Sequence, residues 1–237
     1  MVEDWLAREK MLLGEAAVQK LGTVTAAVVG VGGVGSAAAE ALCRAGIGHL
    51  ILVDNDVVCP SNLNRQLIAT TKTVGMNKAK AMEQRALDIN PGVKITAIET
   101  FYSAANYESL FQLAPDIIID AIDSLPSKID LICRAQEKDI PIISAMGTGN
   151  KLDPTRLEVT DISKTSVCPL ARSVRRELRK RGIYKHTVVF STENPIEVEP
   201  VVRDGELRHV PGTVSWVPPV AGMILAGWAV KKILEMA

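Results

Sequence analysis

Apolar and polar positions fall into short blocks along this chain, and the period of the blocks changes repeatedly. Residues 26–29 are a continuous apolar run that breaks at Gly30, and residues 49–53 are a second run that ends at Asp54. Runs this short, bounded by turn residues, predict buried parallel strands. Between them residues 36–44 are rich in alanine, which favours helix, and Gly46 can close that helix in the left-handed conformation. Residues 78–89 predict a helix that stops at Asn90-Pro91-Gly92. Residues 93–99 alternate as a third strand, 104–113 predict a crossover helix, and 116–121 (DIIIDA) predict a buried strand. A helix around 127–137 and a strand over 140–145 follow. This order predicts an α/β fold with a Rossmann-like, right-handed, doubly wound sheet.

Both ends of the chain depart from that rhythm. Residues 4–21 predict an amphipathic helix, or two short ones broken at Gly14, with Leu12, Leu13, Ala17, Val18 and Leu21 as the apolar stripe. The alternation stops near Gly147. Residues 156–161 predict an antiparallel addition and 171–181 a helix. Residues 213–230 are uncharged and mostly apolar, about the length of a marginal membrane span. Pro218-Pro219 interrupts them, which favours a buried helix starting at Pro219 and running to Ile233. We expect one domain over 1–237, with a helical arm (1–24), a nucleotide-binding core (25–150) and an extension (151–237).

Composition adds little to this picture. With 237 residues, 47% of them apolar, the chain can bury a large core. Lys plus Arg and Asp plus Glu are 27 each, so net charge points to no partner. Cys43, Cys59, Cys133 and Cys168 form no C-x-x-C pair, so no zinc site is expected. Few cysteines and no signal peptide fit a cytoplasmic protein, and no membrane association is expected.

The candidate chemistry starts at Gly30-Val31-Gly32-Gly33-Val34-Gly35, which fits G-x-G-x-x-G. In such a unit one glycine tightens the turn, one admits a phosphate and one lets helix and strand pack. Asp54, 19 residues after Gly35, suits a ribose. The polar loop from Asp56 through Asn62, Asn64, Arg65 and Gln66 leaves the carboxyl edge of the sheet, where ligands bind, so these residues would face the nucleotide. Lys78 in a first helical turn opposes the helix dipole; it serves an anion or is simply solvated. Asp123 follows a strand on the same edge, as a functional carboxylate or a helix cap. Arg172, Arg175, Arg176, Arg179, Lys180, Arg181 and Lys185 surround a single Glu177. That helix could meet nucleic-acid phosphates, or it could be a solvated face paired with acids such as Glu193 and Glu199.

Taken in order and spacing, the glycine loop, Asp54-x-Asp56, Asn62-x-Asn64-Arg65-Gln66, Lys78 and Asp120-Ala121-Ile122-Asp123 resemble the adenylating domain of the ubiquitin-activating-like (ThiF/MoeB/HesA) superfamily. Arg8 matches its N-terminal arginine. The phrases at residues 30–36, 164–172 and 211–218 are most similar to the tRNA threonylcarbamoyladenosine dehydratases within it. The resemblance implies ATP and Mg²⁺, with Asp54 on the ribose, Arg65 and Lys78 neutralising phosphate charge and Asp123 holding the metal. It further implies a homodimer in which Arg8 reaches the neighbouring subunit's site, and a tRNA substrate; a sulfur-relay acceptor protein is an open partner. Cyclisation within one substrate needs no enzyme nucleophile, so Cys168 reads as inert or positional. The alternative within the superfamily is an adenylyltransferase for a ubiquitin-like sulfur carrier. An NAD oxidoreductase, the default for the glycine motif, leaves Asn62 to Gln66, Lys78 and Asp123 without a role. It also lacks a hydride-site histidine pair, since His49 enters a strand and His186 and His209 come late. A non-catalytic nucleotide-dependent scaffold is the remaining class.

Overall fold

The computed structural model describes residues 4–203, 206–208 and 210–236; His209 lies outside them. Two short helices, α1 (Ala7–Leu13) and α2 (Glu15–Leu21), meet at Gly14, whose φ of 90° suits glycine. The chain then alternates through β1 (Thr25–Val29), α3 (Gly33–Arg44), β2 (His49–Val53), α4 (Lys78–Ile89), β3 (Lys94–Ile98), α5 (Glu108–Phe111), β4 (Ile117–Asp120), α6 (Leu125–Glu137) and β5 (Ile142–Ala145). After that come β6 (Leu157–Asp161), α7 (Pro169–Arg179), β7 (Thr187–Ser191), the hairpin of β8 (Val201–Arg203) and β9 (Glu206–Arg208), and α8 (Val217–Ile233).

The main sheet runs β3-β2-β1-β4-β5-β7-β6. All its neighbours are parallel except β6, which pairs antiparallel with β7. The order reverses between β1 and β4, and a crevice opens beyond the carboxyl ends of strands at such a switch point. Strand alternation divides the core in two. Ala26, Val28, Leu50, Leu52, Ile117 and Ile119 face α3, α4 and α8. Ala27, Val29, Ile51, Val53 and Ile118 face α6 and α7.

The apolar segment near the C-terminus buries one side against the protein, while Trp216 and Met223 stay exposed. A Cβ on Gly222 of α8 would lie 2.2 Å from the Val34 carbonyl oxygen and 2.8 Å from the Ala37 Cβ, so α8 and α3 touch at backbone distance. Among the described residues no helix is long and apolar enough to cross a membrane.

Two expectations need correction. The helix expected over 104–113 is only α5, because Asn106 holds a turn before it. Its Oδ1 accepts from Ser103 N (2.8 Å) and its Nδ2 donates to Phe101 O (2.8 Å). Local side-chain bonds of this kind compete with helix. Strand β7 was not foreseen; it inserts between β5 and the antiparallel addition, which is therefore the edge strand.

Candidate active site

The glycine loop joins β1 to α3, and its glycines do different jobs. Gly30 has φ 88°, and a Cβ there would sit 2.6 Å from the Ala121 carbonyl oxygen. A Cβ on Gly35 would lie 1.7 Å from the Gly30 carbonyl oxygen. Both are demanded by the protein's own packing. A Cβ on Gly33 would meet Pro218 Cβ at 3.1 Å and the Arg65 chain at 3.4 Å. Gly32 is the open one: only Gln66 Nε2 comes near, at 3.8 Å. That is where a ligand can approach the backbone, in front of the uncapped N–H groups that begin α3.

Asp54, at the end of β2, fastens this loop. Its Oδ2 accepts from Val31 N (2.7 Å) and its Oδ1 from Asp56 N (2.8 Å). Burial pushes its carboxyl above the usual carboxylate range, against the pull of those two N–H groups. Each oxygen keeps a lone pair for a ribose hydroxyl.

The polar loop after β2 separates its residues into holders and presenters. Asn62 is buried, and its Oδ1 accepts from Cys59 N (3.0 Å), so that oxygen holds the turn over Pro60–Asn62. Asn64 donates to Thr213 O (2.9 Å), tying the loop to the segment before α8. Arg65 donates to Ser61 O (2.8 Å) and Asn64 Oδ1 (2.9 Å), both neutral, and pairs with no acid among the described residues. Gln66 is buried beside Gly32, and its Oε1 has no partner among the described residues. A buried acceptor left unpaired is costly, so this amide is poised for a ligand.

Lys78 opens α4 after Asn77, whose side chain caps the helix by accepting from Ala79 N (2.8 Å). Its buried ammonium pairs with the exposed Asp56 carboxylate at 2.7 Å. Asp56 is therefore the counter-ion of a buried lysine at the mouth of the crevice. Asp123 is exposed and makes no hydrogen bond among the described residues. It does not cap α6; Ser124 is the cap residue and also makes no side-chain bond.

Sequence reasoning missed what stands behind Asp123. Asp120 and Lys128 are an ion pair at 2.8 Å with both side chains 0% exposed. Lys128 also donates to Ala145 O (3.1 Å), and Asp120 Oδ1 accepts from Ile122 N (3.0 Å). The pair ties the ends of β4 and β5 together and fixes the turn that carries Asp123. Beside it Ser144 Oγ hydrogen-bonds His186 Nε2 at 2.7 Å. Burial, with the Lys128 ammonium adding to it, lowers this histidine to about 3.

Two other candidates lie away from the crevice. Arg8 is exposed on α1, whose neighbour Leu6 packs where a Cβ on Gly46 would be (3.1 Å), at the far end of α3 from the glycine loop. This chain does not bring Arg8 to its own site. Cys168 is buried in the core shared by α6 and α7, its Sγ 3.6 Å from where a Cβ on Gly147 would stand. Among the described residues no three His, Cys, Asp or Glu side chains cluster around a metal position.

A glycine loop at the switch point of a doubly wound sheet, with a carboxylate at the end of the next strand and an arginine that pairs with no acid among the described residues, defines a Rossmann-like nucleotide-binding protein. The chain belongs to the ThiF family, whose model matches residues 6–237. It is 43% identical over 239 residues to the tRNA threonylcarbamoyladenosine dehydratase of Bacillus subtilis (strain 168), spanning 97% of this chain and 94% of that relative. It is 40% identical over 190 residues to the Escherichia coli (strain K12) protein of the same name, spanning 77% and 71%. Its fold superimposes with a TM-score of 0.88 on the crystal structure of E. coli tRNA N6-threonylcarbamoyladenosine dehydratase, TcdA, in complex with ATP; identity is 34%, covering 99% of this chain and 97% of that one.

Proposed function

We propose that this chain uses ATP to adenylate the threonyl carboxylate of threonylcarbamoyladenosine in tRNA and then closes the ring, a net dehydration. The observation that carries this reading is the crevice itself. Open Gly32, uncompensated Arg65, buried Lys78 and unbonded Asp123 surround one carboxyl edge of the sheet. The likeness to dehydratases along nearly the whole chain supports the substrate.

A carboxylate is a poor electrophile. Its oxygen attacks the α-phosphorus, pyrophosphate leaves, and an acyl-adenylate forms. The neighbouring carbamoyl group then attacks the activated carbonyl and AMP departs with the original carboxylate oxygen. Both partners sit on one molecule, so the closure gains from high effective molarity and needs no enzyme nucleophile. Cys168, buried in the core, fits a packing role. In this scheme Asp54 holds the ribose, the N–H groups at Gly32 approach the phosphates, and Arg65 and Lys78 offset charge on the departing pyrophosphate. Asp123 would hold Mg²⁺, which would supply further charge neutralisation at the phosphates.

The active unit is a homodimer acting in the cytoplasm, with Arg8 supplied across the interface. In support, α1 buries none of its residues in its own chain, and Met11 and Leu12 on it are 87% and 85% exposed. A second copy is a natural cover for such a face.

The test is ATP turnover with purified protein. AMP and pyrophosphate should form only with tRNA that carries threonylcarbamoyladenosine, and mass spectrometry of the digested tRNA should show loss of one water. AMP formation that depends instead on a ubiquitin-like carrier, with no change in the nucleoside, would sink the reading.

A further inference from the structure

The arginine-rich helix α7 lies outside the crevice, and the chemistry above does not use it. Its surroundings decide between the two readings its sequence allows. Glu193, the nearest acid of the following segment, spends its carboxylate on Leu152 N (3.0 Å) and Asp153 N (2.9 Å). Among the described residues neither Glu193, Glu197 nor Glu199 pairs with any cation of α7. Glu177 alone serves Arg176 (3.5 Å), Lys180 (2.8 Å) and Arg181 (3.3 Å). Arg175 turns inward and donates to Thr165 O at 2.8 Å, so it anchors the helix. Arg172 and Arg179 have no acidic partner among the described residues, and both are exposed.

Arg172, Arg176 and Arg179 are spaced i, i+4, i+7 and share one face, about 10 Å long at 1.5 Å per residue. An open hollow of ≈ 510 Å³ lies along that face. Its direction matters. Cys168, the residue before α7, abuts Gly147 just past the carboxyl end of β5, next to the strand that carries Asp123. The tract therefore begins at the edge of the adenylation crevice and leads away from it. At the far end Tyr184 is 66% exposed and offers an aromatic face.

We infer that the Arg172–Arg176–Arg179 face is a track for the sugar–phosphate backbone of the RNA whose modified base enters the crevice. The inference rests on the proposed tRNA substrate and assigns the surface that holds it. Arg172 and Arg179 have no acidic partner among the described residues and Arg176 meets Glu177 only at 3.5 Å, so binding releases counter-ions from the RNA at the cost of no more than one long, exposed ion pair within the protein. None of the three residues belongs to the nucleotide site.

The experiment measures binding of tRNA bearing threonylcarbamoyladenosine to the full chain across a salt series. Arg172→Ala, Arg176→Ala and Arg179→Ala together should weaken binding by about 10- to 100-fold near 0.1 M salt and lower the slope of log K against log[salt] by about 2. ATP binding without tRNA should not change. The triple lysine variant should keep most of the affinity. Glu177→Gln, which frees cations, should tighten binding and steepen the slope. Wild-type binding retained in full by the triple alanine variant overturns the track alone. A wild-type protein that binds no tRNA, but loses a protein partner when the arginines go, overturns both the track and the proposed substrate.

Discussion

Asp123 is the clearest case of a side chain whose function can be separated from stability. Its carboxylate bonds to nothing among the described residues, so Asp123→Asn should leave the melting temperature unchanged. If it contributes to charge stabilisation at the phosphates, tRNA-dependent AMP formation should fall by about 10²–10³-fold. A matching drop in melting temperature would mark a structural residue instead. Lys78 differs, since its ammonium is buried against Asp56. Asp56→Asn strands that charge and should destabilise the fold, by about 3 kcal/mol at most because Asp56 itself is well exposed and water screens the pair; urea titration of the variant checks this. His186 gives a pH signature. Its ring lies at about 3 in the fold against 6.5 when free. The unfolded chain therefore takes up a proton below 6.5 that the native protein refuses. Stability from this group is present above 6.5 and is lost as pH falls towards 3, by roughly 2 kcal/mol at pH 5. Urea midpoints at pH 7.5 and 5 should diverge in the wild type, and His186→Asn should flatten that difference by about one proton's worth.

Elements, more than residues, carry what could be read from the chain. The strands around the glycine loop were legible because short apolar runs between turn residues have few other uses, and α4 was legible at both ends through Asn77 and Asn90-Pro91. Strand β7 was not, since Thr187–Ser191 is an apolar run with no flanking signal to set it apart from its neighbours. The Asp120–Lys128 pair was illegible for a deeper reason: a lysine in a periodic helix reads as solvated until the fold shows which carboxylate it meets. That the Oδ1 of Asn62 closes a turn was likewise not legible, since position alone placed this residue in the polar loop. The pairing of α3 with α8 gives the prediction at this scale. Gly222→Ala drives a Cβ into the Val34 carbonyl, which must part the helices and tilt the one that begins at the nucleotide loop. We expect a loss of about 1–3 kcal/mol and weaker ATP binding. Gly227→Ala, on the same helix with nothing within 4 Å, should instead stabilise by up to about 1 kcal/mol and leave ATP binding alone. Thermal scans with and without ATP read both, and equal behaviour of the two variants would refute the packing argument.

At the scale of the whole molecule, the question is whether one chain is a complete enzyme. The crevice gathers Gly32, Asp54, Arg65, Lys78 and Asp123 from segments that all leave one edge of the sheet. Arg8 stands apart, on a helix that buries no residue of its own and that packs at the other end of α3. If Arg8 completes the partner's site in a two-fold dimer, two different defects can compensate. Arg8→Ala and Lys78→Ala proteins should each be nearly inactive alone. In a mixed dimer the site that keeps its own Lys78 borrows an intact Arg8 from the other subunit, while the second site lacks both. Random reassortment makes half of all dimers mixed, each with one working site of two, so activity should recover to about a quarter of wild type. The recovery should require unfolding and co-refolding, or co-expression, because subunits must exchange. A mixture that stays inactive after exchange, shown by mass-tagged subunits, would mean that Arg8 acts on its own chain or not at all. An Arg8→Ala protein that is fully active alone would remove the need for a second subunit in the chemistry, and would leave the exposed face of α1 to a purely structural partner.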